Sequence, residues 1–572
     1  MNSDEVIARQ RQERAHHLNV ILQSKSKKKL IVAGAGTGKT FIFGKLLEQQ
    51  GGDNNLALTF IRKLVNDMAA ALGGIAEVKT FHAYCKKILH ANNGRVELAP
   101  FLTKIIQRDA ELLGKNLDDF DNKLRTLQDN SAEISFFLRR GDYYEVVGFD
   151  DSVYRLYREL RKNLDILPEF DQIVVDEYQD FNPLEVAFIE ELAKKGDILI
   201  VGDDDQALYD DRSASPSHLR HLYAKADFAK FELPFCSRCP DVVVTATNEV
   251  IKAAQQQGLF EGRIPKRYEC YLEDKQVDST KYPNIILATC TTVRVIAKYI
   301  QREVAAISPE DIAESHAVGN VYPTVLVVGP AHYLREMHKY LAPTYPQISY
   351  APTQEIGYDL VEAYEYLLCD EESNFGWRIL LDLLCGEEAQ KQALTESEAG
   401  KPIVSLLDPS LVAKHRKAIG LIRSVREHNQ VANAIEAELR TLLDAHADAV
   451  LAWLAHEETG EQPPLDKTKP SILFTSYKGC KGLSAGHVFI TGIHDMSLPR
   501  DRNNIRDVEV SQFIVALTRT RKQCHLLANM WFIAPVDGNR EYVQRFEPSP
   551  FTEWIPKELV QDKGELKAKD LQ

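Results

Sequence analysis

Short apolar runs recur along the chain, separated by polar stretches of helical period. The first series is Leu30–Ala33, Leu56–Phe60, Ile173–Val175 and Ile198–Val201. A second series follows at Ile285–Ala288, Val325–Val328, Ile472–Thr475, His487–Thr491 and Cys524–Ala528. Buried strands that alternate with helices predict a mostly parallel sheet, because parallel neighbours need crossover helices that cover both faces. Two α/β domains are expected. Two stretches interrupt the alternation, at about 87–165 and about 365–465; both have helical periodicity, as in Ala432–Leu454. The expected organisation is therefore a first α/β domain over 1–86 and 166–250 with a helical insert at 87–165. A second would cover 251–364 and 466–545 with an insert at 365–465, followed by a tail at 546–572. Thr459–Pro470, with three prolines, reads as a linker. The charged segment from Lys557 is expected to fray.

Composition narrows the class. With 572 residues, 44% of them apolar and 27% charged, the chain is too long for one core and typical of a globular protein. No apolar run reaches the roughly 18 residues that would span a bilayer. The polar start, Met1–His17, does not resemble a secretory leader. Nine cysteines without a regular framework fit a reducing cytoplasm. A net charge of −14 argues against a nucleic-acid coat protein, but leaves room for a local basic groove.

The chemistry begins at Ala33–Thr40, A-G-A-G-T-G-K-T, directly after Leu30-Ile31-Val32 and before a helical stretch. Strand, glycine-rich loop and Lys-Thr make a phosphate-binding P-loop. Backbone N–H groups of Ala33, Gly34, Ala35, Gly36, Thr37 and Gly38 would cradle a polyphosphate, helped by the positive end of the helix. Lys39 would reach the β- and γ-phosphates and Thr40 would ligate Mg2+. Ala33 stands where the pattern usually has glycine. Further on, Ile173-Val174-Val175 ends in Asp176-Glu177. Asp176 is the candidate Mg2+ residue and Glu177 the candidate base for an attacking water. ATP and Mg2+ are the expected cofactors.

The continuation, Tyr178-Gln179-Asp180, completes D-E-Y-Q-D. This closely resembles the D-E-x-Q-D motif of UvrD/Rep/PcrA-type superfamily 1 DNA helicases. Val201-Gly-Asp-Asp-Asp-Gln206-Ala-Leu-Tyr209 looks like their V-G-D-x-x-Q-x-I-Y motif, and Val515-Ala-Leu-Thr-Arg519 like V-A-x-T-R. Arg238, in Leu233-Pro-Phe-Cys-Ser-Arg238, matches the arginine of N-Y-R. The resemblance implies two RecA-like P-loop domains. Gln206 would sense the γ-phosphate, and Arg238 and Arg519 would be cations brought to it when the domains close. It also implies a 3′ to 5′ motor on single-stranded DNA or a partial duplex.

The same resemblance supplies nucleic-acid candidates. Thr59-Phe60-Ile61-Arg62 is similar to T-F-T-N, and Thr80-Phe81-His82 to T-F-H. Thr475-Ser-Tyr477-Lys-Gly-Cys-Lys-Gly482-Leu resembles T-x-H-x-x-K-G-L. Phe60, Arg62, Thr80, His82, Tyr209, Arg212, Thr475 and Tyr477 are thus the implied DNA contacts, and Gly482 joins the nucleotide site. Aromatic stacking tolerates any base, which suits a translocating motor. The chain departs from the family at several positions. Ser237 replaces the adenine-stacking aromatic, Ser484 a glutamate near the ribose, Asp211 a further base-stacking aromatic, Arg62 an asparagine and Tyr477 a histidine. For the adenine-reading glutamine, Gln12 is chosen over Gln10. A rival function is a DNA-stimulated ATPase subunit that regulates a partner nuclease, in repair or anti-phage defence, without strong unwinding. Cys236-Ser-Arg-Cys239 lacks a second C-x-x-C and is not read as a zinc site.

Overall fold

The computed structural model describes residues 3–59, 62–94, 96–129, 131–317, 322–345, 348–351, 357–428, 432–459, 466–536 and 540–571. The chain divides into two compact units, 1–81 with 168–354 and 466–572, and 82–167 with 355–465. The first holds both α/β domains. Its first sheet runs Glu77–Thr80, Asn55–Thr59, Gln172–Val175, Asp197–Gly202, Lys28–Val32, Ala229–Glu232 in spatial order, and every neighbouring pair is parallel. The second runs Ser349–Ala351, Ile472–Thr475, Val325–Val328, Ala485–Thr491, Thr520–Asn529, Ile285–Cys290, Val560–Leu566, again all parallel. All nine strands expected from the apolar runs are present. Both domains are RecA-like α/β layers, with helices burying both faces of each sheet.

Burial explains why these runs form central strands. Leu30, Ile31, Ile173, Val174, Leu199 and Val201 are almost completely buried, as are Val325, Leu326, Val327 and Phe489. A run that is apolar on both faces can satisfy its backbone only inside a sheet covered on both sides. The P-loop helix Lys39–Gln50 packs Ile42, Phe43, Leu46 and Leu47 onto the first sheet. This buried stripe anchors the helix whose N-terminus points at the phosphate loop.

The helix Asp241–Gln256 shares a core with Leu208 and Cys236 of the first domain and with Val488, Ile490 and Phe513 of the second. The expectation that the segment after Lys557 frays is corrected: Val560–Leu566 pairs in parallel with Ile285–Cys290 as an edge strand whose Asp562, Lys563 and Glu565 are exposed. The two helical inserts group into one compact unit, 82–167 with 355–465.

That helical unit is specified by a buried charge cluster. Asp109 from the first insert accepts from Arg140 Nε at 3.0 Å, from Tyr144 Oη at 2.5 Å and from Arg378 Nε of the second insert at 2.7 Å. All four side chains are buried. Burial and the Asp109 charge push the Tyr144 phenol well up, so it stays a donor. Removing one partner of such a cluster leaves uncompensated buried charge, which costs about 3–5 kcal/mol. Asp109→Ala should lower unfolding stability in urea by that amount and release the helical unit to proteolysis first; a loss below about 1 kcal/mol would contradict this role.

Acid sensitivity follows from buried histidines. Burial pushes His415, His487 and His494 each down to about 4. These groups are neutral in the folded chain but protonate near pH 6.5 when unfolded, so the unfolded state binds more protons between about pH 6.5 and 4. Stability therefore falls as pH drops through that window, by about 2 kcal/mol per histidine at pH 5. The melting temperature should decline steadily from pH 7 to pH 5; a flat profile would refute neutral burial.

Candidate nucleotide site and nucleic-acid groove

The P-loop emerges from Lys28–Val32, the strand flanked by Asp197–Gly202 and Ala229–Glu232. Ala33 donates its N–H to Gly202 at 3.1 Å, which extends the ladder by one residue before the chain turns. Gly36 and Gly38 have φ of 68° and 90°, conformations that favour glycine. A Cβ at Gly36 would also lie 2.4 Å from the Arg238 Cβ. A Cβ at Gly34 would meet the Tyr268 ring at 2.6 Å, and Tyr268 Oη donates to the Ala35 carbonyl at 3.1 Å. Thr37 Oγ1 donates to the Gly34 carbonyl at 3.0 Å and closes the loop. The P-loop is thus braced from outside by Tyr268, leaving its inner face for a ligand.

That face opens into a cavity of about 360 Å3. Ala35 to Thr40, Asp176, Glu177 and Gln206 of the first domain line it with Arg238, Gly482 and Arg519. The structure brings together nearly all the expected nucleotide residues. Ala33 and Gly34 shape the loop from beneath without lining the cavity. Four cations (Lys39, Arg238, Arg519 and the unanticipated Arg521) face two acids, which gives the lining a net charge of about +2. Such a cavity is built for a polyanion.

The acids are tuned in opposite directions. Glu177, at φ 55°, lies 3.8 Å from Lys39 Nζ and 3.6 Å from Lys481 Nζ, and accepts from Gln179 Nε2 at 2.5 Å. Burial opposes its charge, but these partners overcome it and hold the carboxyl below its usual range. Asp176 is pushed up by burial and by the Glu177 charge beside it. Its Oδ1 accepts the Glu177 N–H at 2.9 Å. The Asp176 carboxyl and the Thr40 hydroxyl line the same cavity and are the oxygen donors that would hold a divalent cation.

Second-domain groups reach the first domain through two buried latches. Arg519 Nη2 donates to Gln206 Oε1 at 3.2 Å, and Gln206 Nε2 donates to Asp203 at 2.5 Å. Lys481 pairs with Asp180 and donates to the Gln206 carbonyl at 2.8 Å. Burial opposes the Lys481 charge, but Asp180 and Glu177 raise its pKa. Around Gln206, Asp203, Asp204 and Asp205 all bond Lys266 Nζ at 2.7–2.8 Å, and Arg220 and Arg263 pair with Asp204 and Asp205, so three cations balance three acids.

The glutamine expectation is overturned. Gln12 is exposed and does not line the cavity, whereas Gln10 is buried; Gln10 donates to the Cys270 carbonyl and accepts the Leu272 N–H, both at 3.0 Å. Helical period places the two on different faces of Ser3–Gln23. Arg521 and Tyr268 were not anticipated. Arg521 has a retrospective signal, since it lies two residues beyond Arg519 at the start of a strand, where alternate residues share a face. Tyr268 has none, because its role depends on a contact 234 positions away from Gly34 in sequence.

The nucleic-acid candidates are more scattered. Phe60 lies outside the described residues, and Arg62 opens the helix Arg62–Leu72. Thr80 ends its strand half-buried, and Arg212 approaches Glu185 at 3.9 Å. His82, in the helical unit, is buried with its ring 4.9 Å from that of Phe149. Tyr209 is half-buried, with Lys478 and Lys481 each 5.9 Å from its ring centre. Thr475 and Tyr477 are buried. Tyr477 belongs to the second domain's core, donates its hydroxyl to the Thr491 carbonyl and lines a cavity at the surface of that core. Beside it lies the larger cavity of the α/β unit, about 860 Å3, lined by Asp211, His332, Tyr333, Lys478, Arg500 and Arg506 among others. Asp211, where the family has an aromatic, pairs with Lys478 at 2.7 Å.

A family model described as an AAA domain matches residues 17–212. The ATP-dependent DNA helicase PcrA of Staphylococcus epidermidis is 28% identical over 276 residues, which cover 39% of this chain and 38% of that protein. The ATP-dependent DNA helicase PcrA of Staphylococcus aureus shows the same identity and coverage. The chain spans about two-fifths of the length of the curated relatives it matches. The motif residues are gathered around one P-loop cavity, and the chain is similar to an AAA domain over residues 17–212 and to these two PcrA helicases over about two-fifths of its length.

Proposed function

We propose that this protein is an ATP-dependent motor that moves 3′ to 5′ on single-stranded DNA and couples ATP hydrolysis to closure of its two RecA-like domains. The observation that carries the proposal is the composite cavity, in which Arg238, Gly482 and Arg519 face the P-loop residues Ala35 to Thr40. Lys39 would hold the terminal phosphates, and Thr40 and Asp176 would hold Mg2+, which neutralises charge on the phosphates when bound. Glu177, kept ionised by Lys39 and Lys481, would take the proton of the attacking water. Arg238 and Arg519 would stabilise the charge that develops on the γ-oxygens.

Gln206 is the proposed switch. It bonds Arg519 across the domain interface, and its own backbone carbonyl accepts from Lys481. A γ-phosphate that recruits Gln206 and Arg519 would change both contacts, so nucleotide state and domain position become linked. The groove lined by Tyr477, Lys478 and Arg506 is the proposed strand path, with Tyr209, Thr80 and Arg212 of the same compact unit as further contacts. Its cations are paired with acids, Lys478 with Asp211 and Arg506 with Asp210 at 3.6 Å, and DNA phosphates would exchange for those partners.

ATPase should rise with single-stranded DNA more than with RNA, and a duplex with a 3′ overhang should be opened. DNA-stimulated hydrolysis without strand displacement would replace the motor with an ATPase that regulates a partner nuclease. Glu177→Gln should still bind ATP and lose at least about a hundredfold in turnover, because the water loses its base. Hydrolysis near the wild-type rate in that variant would refute the role of Glu177.

A further inference from the structure

Three guanidinium groups face the nucleotide cavity, and they are held differently. Arg519 is almost fully engaged by protein: Nε donates to Val515 O at 2.8 Å, Nη1 to Leu483 O at 3.1 Å, and Nη2 to Gln206 Oε1 and Thr518 Oγ1 at 3.2 and 3.1 Å. Arg238 Nη1 makes one long bond to Thr518 O at 3.4 Å. Arg521 is held by one edge and one face. Its Nε donates to Ser484 Oγ at 3.0 Å, and its guanidinium carbon lies 4.1 Å from the centre of the Tyr322 ring. Both terminal amino groups of Arg521 are without a hydrogen-bond partner among the described residues. None of the three arginines forms an ion pair there. Burial, then the nearby Arg238 charge, lowers the pKa of both Arg519 and Arg521.

We propose that Arg521 binds the polyphosphate of the nucleotide in the ground state, while Arg519 stays committed to Gln206 until the reaction draws it in. The inference rests on the nucleotide reading above. A planar fork with two open amino groups is the geometry that takes two phosphate oxygens at once. Ser484 and Tyr322 already orient it, so little side-chain freedom is lost on binding. A polyanion would also relieve the mutual repulsion of Arg238, Arg519 and Arg521. The ligand class is any nucleoside triphosphate or inorganic oligophosphate, because the contact addresses phosphate rather than base.

Binding that is equal in ground and transition states alters KM and leaves kcat alone, whereas contacts made only in the transition state alter kcat. In DNA-stimulated ATPase assays on the full chain, Arg521→Gln should raise KM for ATP about tenfold with kcat within about twofold. Arg521→Lys should recover part of that loss, since it restores charge but not the fork. Arg519→Gln should show the reverse, a fall in kcat with KM little changed. Inorganic tripolyphosphate, titrated by calorimetry, should lose affinity for Arg521→Gln by the same factor as ATP, and the melting temperature without ligand should be unchanged. An unchanged KM and tripolyphosphate affinity in Arg521→Gln, or an equal fall of kcat and kcat/KM, overturns this inference alone. Wild-type protein that binds neither ATP nor tripolyphosphate, with Lys39→Ala no different, overturns the nucleotide reading and this inference together.

Discussion

Lys481 reaches from the loop after Ile472–Thr475 of the second sheet into the acids that follow Gln172–Val175 of the first. A buried ammonium is tolerated only where anionic and carbonyl oxygens surround it, and here Asp180, Glu177 and the Gln206 carbonyl do so. That requirement sets how the two domains meet in the site. It places Arg519 against Gln206 and helps keep Glu177 ionised. The cations of the second domain therefore face the P-loop because a buried charge of that domain has its partners in the first.

The remaining positive charge has no such partner. Arg238, Arg519 and Arg521 crowd one cavity, and the two carboxylates beside them are matched to Lys39 and Lys481 or opposed by burial. Like charges held close in a low-dielectric site cost stability unless a ligand neutralises them. The strained φ of Glu177 and the left-handed glycines of the P-loop belong to the same economy of function, in which local strain and repulsion concentrate where a substrate is to be held.

Strands with fully apolar runs were legible in the sequence because burial on both faces demands residues such as Leu30-Ile31-Val32 or Val325–Val328. Edge strands were not. Glu77–Thr80, Ala229–Glu232, Ser349–Ala351 and Val560–Leu566 are short or polar, since one side of each meets no neighbouring strand. The union of the two inserts was equally hidden. It turns on Asp109 meeting Arg140 and Arg378, a tertiary pairing without a local sequence period. At the site, motif spacing identified Lys39, Asp176, Glu177, Gln206, Arg238 and Arg519, because phosphate chemistry dictates both residue type and local geometry. Gln12 was misplaced because motif position does not report which face of a helix is buried. Arg521 was missed because a single arginine outside a motif carries no signal until the strand that bears it is placed.

The central claim is that one polyphosphate site is built from both α/β domains. A crystal structure with ADP, Mg2+ and aluminium fluoride tests it most directly. Lys39, Arg238 and Arg519 should lie within hydrogen-bond distance of the fluoride or β-phosphate oxygens, with Asp176 beside the metal. A fully occupied P-loop from which the second-domain arginine stands apart, still bonded to Gln206, would contradict it.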